Sequence, residues 1–304
     1  MKVFLTGGTG YLGGAILAEL VAHGHQVLAH ARSDTAAAQL ASMGIDPVTG
    51  DLADTGWLTG RLSGVEGMIH SASPNDATSA SVDNAVLDAA LPAFAGTDRP
   101  YVHTGGSWIH GSGSAITEAA PADPPPVVAW RPGVLDRVRG AADSGVRSCV
   151  VAPANLYGNA GGLPALIIAG PTTGGDSPAL LYPGADQRFA NVYTGDIAAM
   201  FRLALETAPP GSYYLAANAD APTMATVAAR ASRLRGLDGR AVPEPAEDTR
   251  SRLGPLTDPL LLDQQIDASH AHELGWHPTG PSLLDELAEA SYAAGAHDHE
   301  GNPQ

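Results

Sequence analysis

An apolar run, Val3-Phe4-Leu5, leads through Thr6 into Gly7, Gly8, Gly10 and Gly13, the last of them inside a stretch from Tyr11 to Val21 that reads as helix. A strand, a glycine turn and a helix start in that order suit the pyrophosphate of a dinucleotide. The chain must turn sharply and bring its backbone close to the ligand, while the first helical turn offers unpaired N–H groups to negative charge. A side chain at Gly7 or Gly10 is expected to fill the phosphate's place. The second strand, Gln26 to Ala31, runs into Arg32, Ser33 and Asp34. There an acidic residue holds the ribose 2′-hydroxyl of NAD, whereas an arginine suits the 2′-phosphate of NADP. Arg32, followed by Ser33, favours NADP; Asp34 leaves NAD as the alternative.

Other chemistries find less to work with. The eleven histidines include no pair on one helix face beside a carboxylate, and His270 and His272 would point apart on a helix, so no metal site is expected. No G-x-S-x-G elbow is present to strain a serine nucleophile. Lys2 is the only lysine among sixteen Lys and Arg residues, which removes any mechanism needing a lysine unless Lys2 supplies it. A formal charge of −16 argues against a nucleic-acid partner. Cys149, the only cysteine, excludes an internal disulfide and fits a reducing, cytoplasmic setting. The N-terminus carries one positive charge and then a short strand broken by glycines, which is neither a secretory signal nor a membrane span.

These side chains need a scaffold, and 304 residues can bury a full core without staples. After the second strand, residues 35–43 read as a short helix ending at Gly44, and Asp46 to Thr49 as a third strand. Gly67 to Ser71 is the fourth, followed by a helix from Ser81 to Leu91 with Val82, Ala85, Val86 and Ala89 at helical spacing. The fifth strand runs from Arg99 to Thr104, a helix covers about 127–144, the sixth strand runs from Val146 to Ala152, and Ser212 to Ala216 returns to the sheet. Such alternation predicts an α/β fold with a parallel, doubly wound Rossmann-type sheet.

The turn T-G-G-T-G-Y-L-G resembles the T-G-x-x-G-x-x-G signature of the short-chain dehydrogenase/reductase superfamily, in its extended or atypical, epimerase/dehydratase-like branch. Further segments carry the likeness over nearly the whole chain. His70-Ser71-Ala72-Ser73 is similar to H-x-A-A, Pro153 to Gly158 to R-P-x-N-x-Y-G, Phe189 to Ala198 to the segment with H-V-D-D-L-A, and Glu273 to Pro278 to E-L-G-W-x-P, with Ser282 as the N-cap of a closing helix from Leu283 to Ala293. The resemblance implies cofactor contacts at Thr6, Gly7, Gly10, Tyr11, Leu12, Gly13, Arg32, Ser33, Asp51, Leu52, Ala72 and Ser73. It implies a nucleotide-binding domain of residues 1–160 and 189–216, and a substrate lobe of 161–188 and 217–304 with its lid in 161–188. The tail, with His297 and His299, is expected to be disordered rather than metal-binding.

The catalytic pattern of the superfamily is absent. Gly106 stands at the place of its active-site serine or threonine, flanked by Thr104 and Ser107, and His110 replaces a tyrosine. On the helix that should carry Y-x-x-x-K, the tyrosine position is Trp130 or Arg131 and the lysine position Val134 or Leu135. No tyrosine occurs between Tyr101 and Tyr157. The available proton donors are therefore Tyr157 first, His110 second and then His103, with Ser107 or Thr104 to orient a carbonyl. Ser107, Trp108, Trp130, Arg131 and Asn155 are the candidate substrate contacts. The expected activity is an NAD(P)-dependent oxidoreductase or epimerase/dehydratase acting on a small polar metabolite, in a monomer or homodimer, with no membrane partner. A non-redox lyase, isomerase or cyclase on the same fold, and a non-catalytic dinucleotide sensor, stay open.

Overall fold

The structure is a computed structural model and describes residues 1–288 together with Tyr292. Seven strands form the central sheet: β1 Lys2–Thr6, β2 Gln26–Ala31, β3 Asp46–Thr49, β4 Gly67–His70, β5 Pro100–Thr104, β6 Arg147–Pro153 and β7 Ser212–Ala216. They lie side by side as β3-β2-β1-β4-β5-β6-β7, every pair parallel. A sheet covered on both faces needs strands that are apolar on both, and Val3, Phe4 and Leu5 of β1 are accordingly fully buried. Strand order reverses between β1 and β4, so the crevice that receives ligands in such folds opens at the carboxyl ends of these two strands.

The covering helices are α1 Tyr11–Ala22, α2 Asp34–Ser42, α3 Thr55–Leu62, α4 Ser79–Phe94, α5 Arg131–Gly140 and α6 Thr194–Thr207. α1 packs on α6, α3 on α4, and α4 on α5. Arg202 of α6 is paired with Glu19 of α1 at 2.7 Å and with Glu206 at 2.8 Å. α3 is absent from the sequence expectation because Gly56 and Gly60 blur its periodicity; the Asp54 side chain starts it by accepting from the Trp57 N–H at 2.9 Å. The helix expected over 127–144 is three pieces. Pro126–Val128 and Ala141–Ser144 are 3₁₀ turns around α5, whose second residue, Pro132, cannot bond back to an earlier turn.

Beyond β6 the turn expected at 153–158 is a strand, Asn155–Gly158, paired in parallel with Asn191–Tyr193. The stretch expected to be a lid contains a helix, Leu163–Ile168, and a strand, Leu180–Pro183, which pairs in parallel with Ala241–Glu244. A second apolar cluster gathers here, with Tyr157, Ile167, Leu180, Phe189, Met224, Val227, Leu283 and Tyr292 among its members. Helix α7, Met224–Leu234, is capped by Thr223, and Ser282 caps the short helix Leu283–Glu286. Asp196 at the start of α6 accepts from the Thr279 and Gly280 N–H groups, and its carbonyl receives the Trp276 indole at 2.7 Å, tying the C-terminal segment to the sheet domain. No described helix is long and apolar enough to cross a membrane. His297 and His299 lie outside the described residues.

Candidate functional site

The glycine turn joins β1 to α1 above the crevice. Gly7 has φ +78°, and a Cβ there would stand 2.8 Å from the backbone of Ser71 and Ala72. A Cβ at Gly13 would fall 2.0 Å from the Gly7 carbonyl. These two glycines are required by the fold itself, and Gly7 is thus needed for a backbone crossing rather than for space at a phosphate. Gly10 differs. Its backbone is extended, its N–H bonds the Gly7 carbonyl at 2.8 Å, and a Cβ would meet nothing closer than that carbonyl at 3.3 Å. No side chain caps α1 at Gly10 and no acidic residue occupies its first turn, so the N–H groups of Tyr11, Leu12 and Gly13 stand without intrahelical partners beside that space.

Thr6 is buried behind the turn and holds it. Its Oγ1 accepts from the N–H groups of Ser71 and Ala72 at 3.1 and 3.2 Å, and lies 2.8 Å from His70 Nδ1. With both acceptor positions taken, the hydroxyl proton points at Nδ1, which leaves the His70 proton on Nε2. That nitrogen faces Asp83 Oδ1 at 3.1 Å, while the other carboxylate oxygen faces His103 Nε2 at 3.4 Å. His103 Nδ1 is in turn 2.8 Å from the Tyr101 hydroxyl. Burial acts to raise the Asp83 carboxyl, but hydrogen bonds from His103 and His70 outweigh it and hold the group well below the usual carboxylate range. Burial pushes His103 down to about 4 against the pull of Asp83. Sequence reasoning missed this chain of polar groups. Its signal was available: Asp83 shares the inner stripe of α4 with Val86, Leu87 and Ala90, where a lone carboxylate needs partners.

The remaining cofactor candidates divide. Arg32 and Asp34 are exposed at the end of β2. The Ser33 hydroxyl accepts from the Ala36 N–H at 3.2 Å and caps α2. Asp51 is exposed and accepts from the Ala53 N–H at 2.9 Å, whereas Leu52 is buried in the core. The Ser73 hydroxyl leans on Ser79 at 3.4 Å, beside Ala72. Tyr11 donates to the Gly158 carbonyl at 2.6 Å, and its ring lies against Gly161 and Gly162, so it joins the turn to the 158–162 loop.

The proton donors are not assembled as expected. Tyr157 is fully buried in the C-terminal cluster; its hydroxyl donates to the Pro281 carbonyl at 2.6 Å and accepts from Asn218 Nδ2 at 2.5 Å. Burial raises its pKa despite the Asn218 bond, which makes it a poorer acid. His110 is clasped between the Ala120 carbonyl at 3.1 Å and the Tyr213 hydroxyl at 2.8 Å. The carbonyl requires a proton on Nδ1, so Nε2 accepts from Tyr213 and the ring is neutral, in keeping with a pKa that burial lowers. Ser107 is buried and donates to Gln264 Oε1 at 3.0 Å, while Gln264 Nε2 returns bonds to the Ser107 and Gly111 carbonyls. Trp108 donates to Asn155 Oδ1 at 2.9 Å, and Asn155 donates onward to the Ala190 carbonyl at 2.8 Å. Thr104 donates to the His70 carbonyl at 2.7 Å.

What the carboxyl edge of β5 leaves available is Arg131 with Trp130, and the open space at Gly106. Arg131 Nη1 reaches the Thr104 carbonyl at 3.3 Å, and its guanidinium carbon lies 4.6 Å from the centre of the Trp130 ring. A Cβ at Gly106, in extended backbone, would meet nothing within 4 Å.

Comparison with known proteins agrees with this architecture. The sequence profile of the NmrA-like family matches residues 1–97. An uncharacterised protein of Schizosaccharomyces pombe is 27% identical over 302 residues, covering 96% of this chain and 100% of its own. The decarboxylating sterol-4-alpha-carboxylate 3-dehydrogenase of Dictyostelium discoideum is 41% identical over 87 residues, 29% of this chain and 26% of its own. Among solved structures, a double mutant of the dTDP-glucose 4,6-dehydratase DesIV from Streptomyces venezuelae, with NAD bound, superposes with a TM-score of 0.75 at 20% identity, over 99% of this chain and 98% of that one. The structural likeness shows a shared Rossmann-type fold, and the T-G-x-x-G-x-x-G turn lies within the stretch that the NmrA-like profile matches.

Proposed function

We propose that the chain binds a nicotinamide dinucleotide at the glycine turn, NADP in preference to NAD, and carries out redox chemistry on a small polar metabolite. The observation that carries this reading is the contrast within the turn: Cβ atoms at Gly7 and Gly13 would collide with backbone at 2.8 and 2.0 Å, while Gly10 is exposed at the uncapped start of α1 and its Cβ would crowd only the Gly7 carbonyl, at 3.3 Å. Phosphate fits that arrangement of N–H groups and helix dipole. Arg32 stands exposed where a 2′-phosphate is read in such folds, while the Ser33 hydroxyl oxygen already caps α2. A bound dinucleotide supplies hydride transfer, and the protein's part is to position it and exclude competing reactions. Thr6, braced by His70 and Asp83, keeps the 70–73 segment beneath the turn. Names among the relatives, a dehydrogenase in Dictyostelium and an NAD-bound dehydratase in Streptomyces, support nicotinamide chemistry.

One observation favours a second reading. Ser107, His110 and Tyr157 are each committed to internal bonds, which suits a dinucleotide sensor as well as an enzyme. The test is to follow NADPH at its nicotinamide absorbance with a panel of small carbonyl compounds. Turnover of any member supports the enzyme. Tight NADPH binding with no turnover across the panel would transfer the function to sensing.

A further inference from the structure

Arg131 is a guanidinium whose charge the protein does not neutralise. It is partly buried, and burial lowers its pKa. Its one hydrogen bond among the described residues is the 3.3 Å contact from Nη1 to the Thr104 carbonyl. Among the described residues no carboxylate approaches it within 4.0 Å. The nearest influence of opposite sign is Asp83 on α4, whose two oxygens face His70 and His103 instead. Arg131 is also the first residue of α5, where the positive end of the helix dipole disfavours a cation. Trp130 covers one face of the guanidinium at 4.6 Å from its ring centre, which offsets only part of what a desolvated charge requires. The edge formed by Nε and Nη2 bonds to no described protein group.

From this edge, and resting on the redox reading above, we infer that Arg131 is the seat of a carboxylate on the substrate, which is a small oxo or hydroxy acid. Two parallel N–H donors match two carboxylate oxygens, a geometry that arginine provides and lysine does not. The guanidinium meets the carboxyl end of β5 at the Thr104 carbonyl, on the edge where ligands of such sheets bind, and Thr104 leads directly into Gly105 and the open space at Gly106. An anion there restores the charge balance that burial and the α5 dipole disturb. Arg131 is thus a specificity residue in a site without the superfamily's tyrosine and lysine.

The experiment titrates the whole chain, with and without NADPH, with pyruvate, acetoacetate and laevulinate, each against its methyl ester, and with inorganic phosphate as a second anion. Calorimetry and Trp130 fluorescence report binding, and thermal unfolding of the ligand-free protein is measured in parallel. At least one acid is expected to bind about tenfold or more tightly than its ester. R131M should abolish that preference, R131K should keep part of it, and R131M should unfold at the same or a higher temperature because it removes an uncompensated charge. Acid preference without any NADPH binding would uphold the carboxylate seat while refuting the dinucleotide reading. Equal binding of acids and esters, no acid binding at all, phosphate binding as tight as any acid, or an R131M unfolding temperature that falls and is recovered in R131K would each overturn the inference.

Discussion

Asp83 shows at the scale of one residue how a buried charge is kept. Both of its oxygens face imidazole N–H groups, and each imidazole is oriented from its far side, His70 by Thr6 and His103 by Tyr101. The pH dependence follows. Folded His103 titrates at about 4, whereas unfolded histidine titrates near 6.5. The unfolded chain therefore takes up its proton first, and stability falls as pH drops through that window, by about 1.4 kcal/mol per pH unit from this group at most. Asp83, depressed in the folded state, adds further loss below the ordinary carboxylate pKa. Denaturant midpoints between pH 7 and pH 5 check this, and a flat profile would contradict it. Tyr157 leads to a prediction opposite to its sequence-based role. Because its hydroxyl joins Pro281 and Asn218, Tyr157→Phe should lower stability by about 1 to 2 kcal/mol and leave turnover within about twofold. A hundredfold loss of turnover at unchanged stability would restore it as the acid. Arg32→Ala should weaken NADP by about 1.5 to 3 kcal/mol and NAD hardly at all; equal weakening of both would shift the 2′ contact to Asp34.

At the scale of elements, the glycine turn separates two kinds of glycine. Gly13→Ala places a methyl carbon 2.0 Å from the Gly7 carbonyl and should destabilise by more than about 2 kcal/mol, whereas Gly10→Ala, whose Cβ would stand 3.3 Å from the same oxygen, should cost clearly less by thermal unfolding. Equal effects would contradict the packing described. This turn was legible in the sequence because its requirements are local, as were β2, β3 and β7, whose bounds match those expected from composition alone. α3 was not legible because two glycines interrupt its pattern. The bonds that engage the catalytic candidates were not legible for a different reason: their partners come from far along the chain. Tyr157 meets Pro281 at a separation of 124 residues, His110 meets Tyr213 at 103, and Ser107 meets Gln264 at 157. No local pattern announces such partners. Asp83 is the intermediate case, since its place on an apolar helix stripe signals a buried network without naming the histidines that complete it.

The molecule as a whole combines a Rossmann-type sheet and a glycine turn with a site that lacks the serine, tyrosine and lysine of the family it resembles. The Asp196 carboxylate, beside Ile197 of the first apolar cluster, holds the Thr279 and Gly280 N–H groups ahead of Leu283 of the second, and Tyr11 links the turn to the loop of the second cluster. The proposed function requires that a dinucleotide enter over Gly10. Calorimetric titration of the wild type and Gly10→Val with NADPH measures that requirement most directly. The wild type should bind and Gly10→Val should not, while Gly10→Val stays folded at the titration temperature, since Gly10 is exposed and a side chain there would crowd only the Gly7 carbonyl. Equal NADPH affinity in the two proteins would contradict the assignment of the turn.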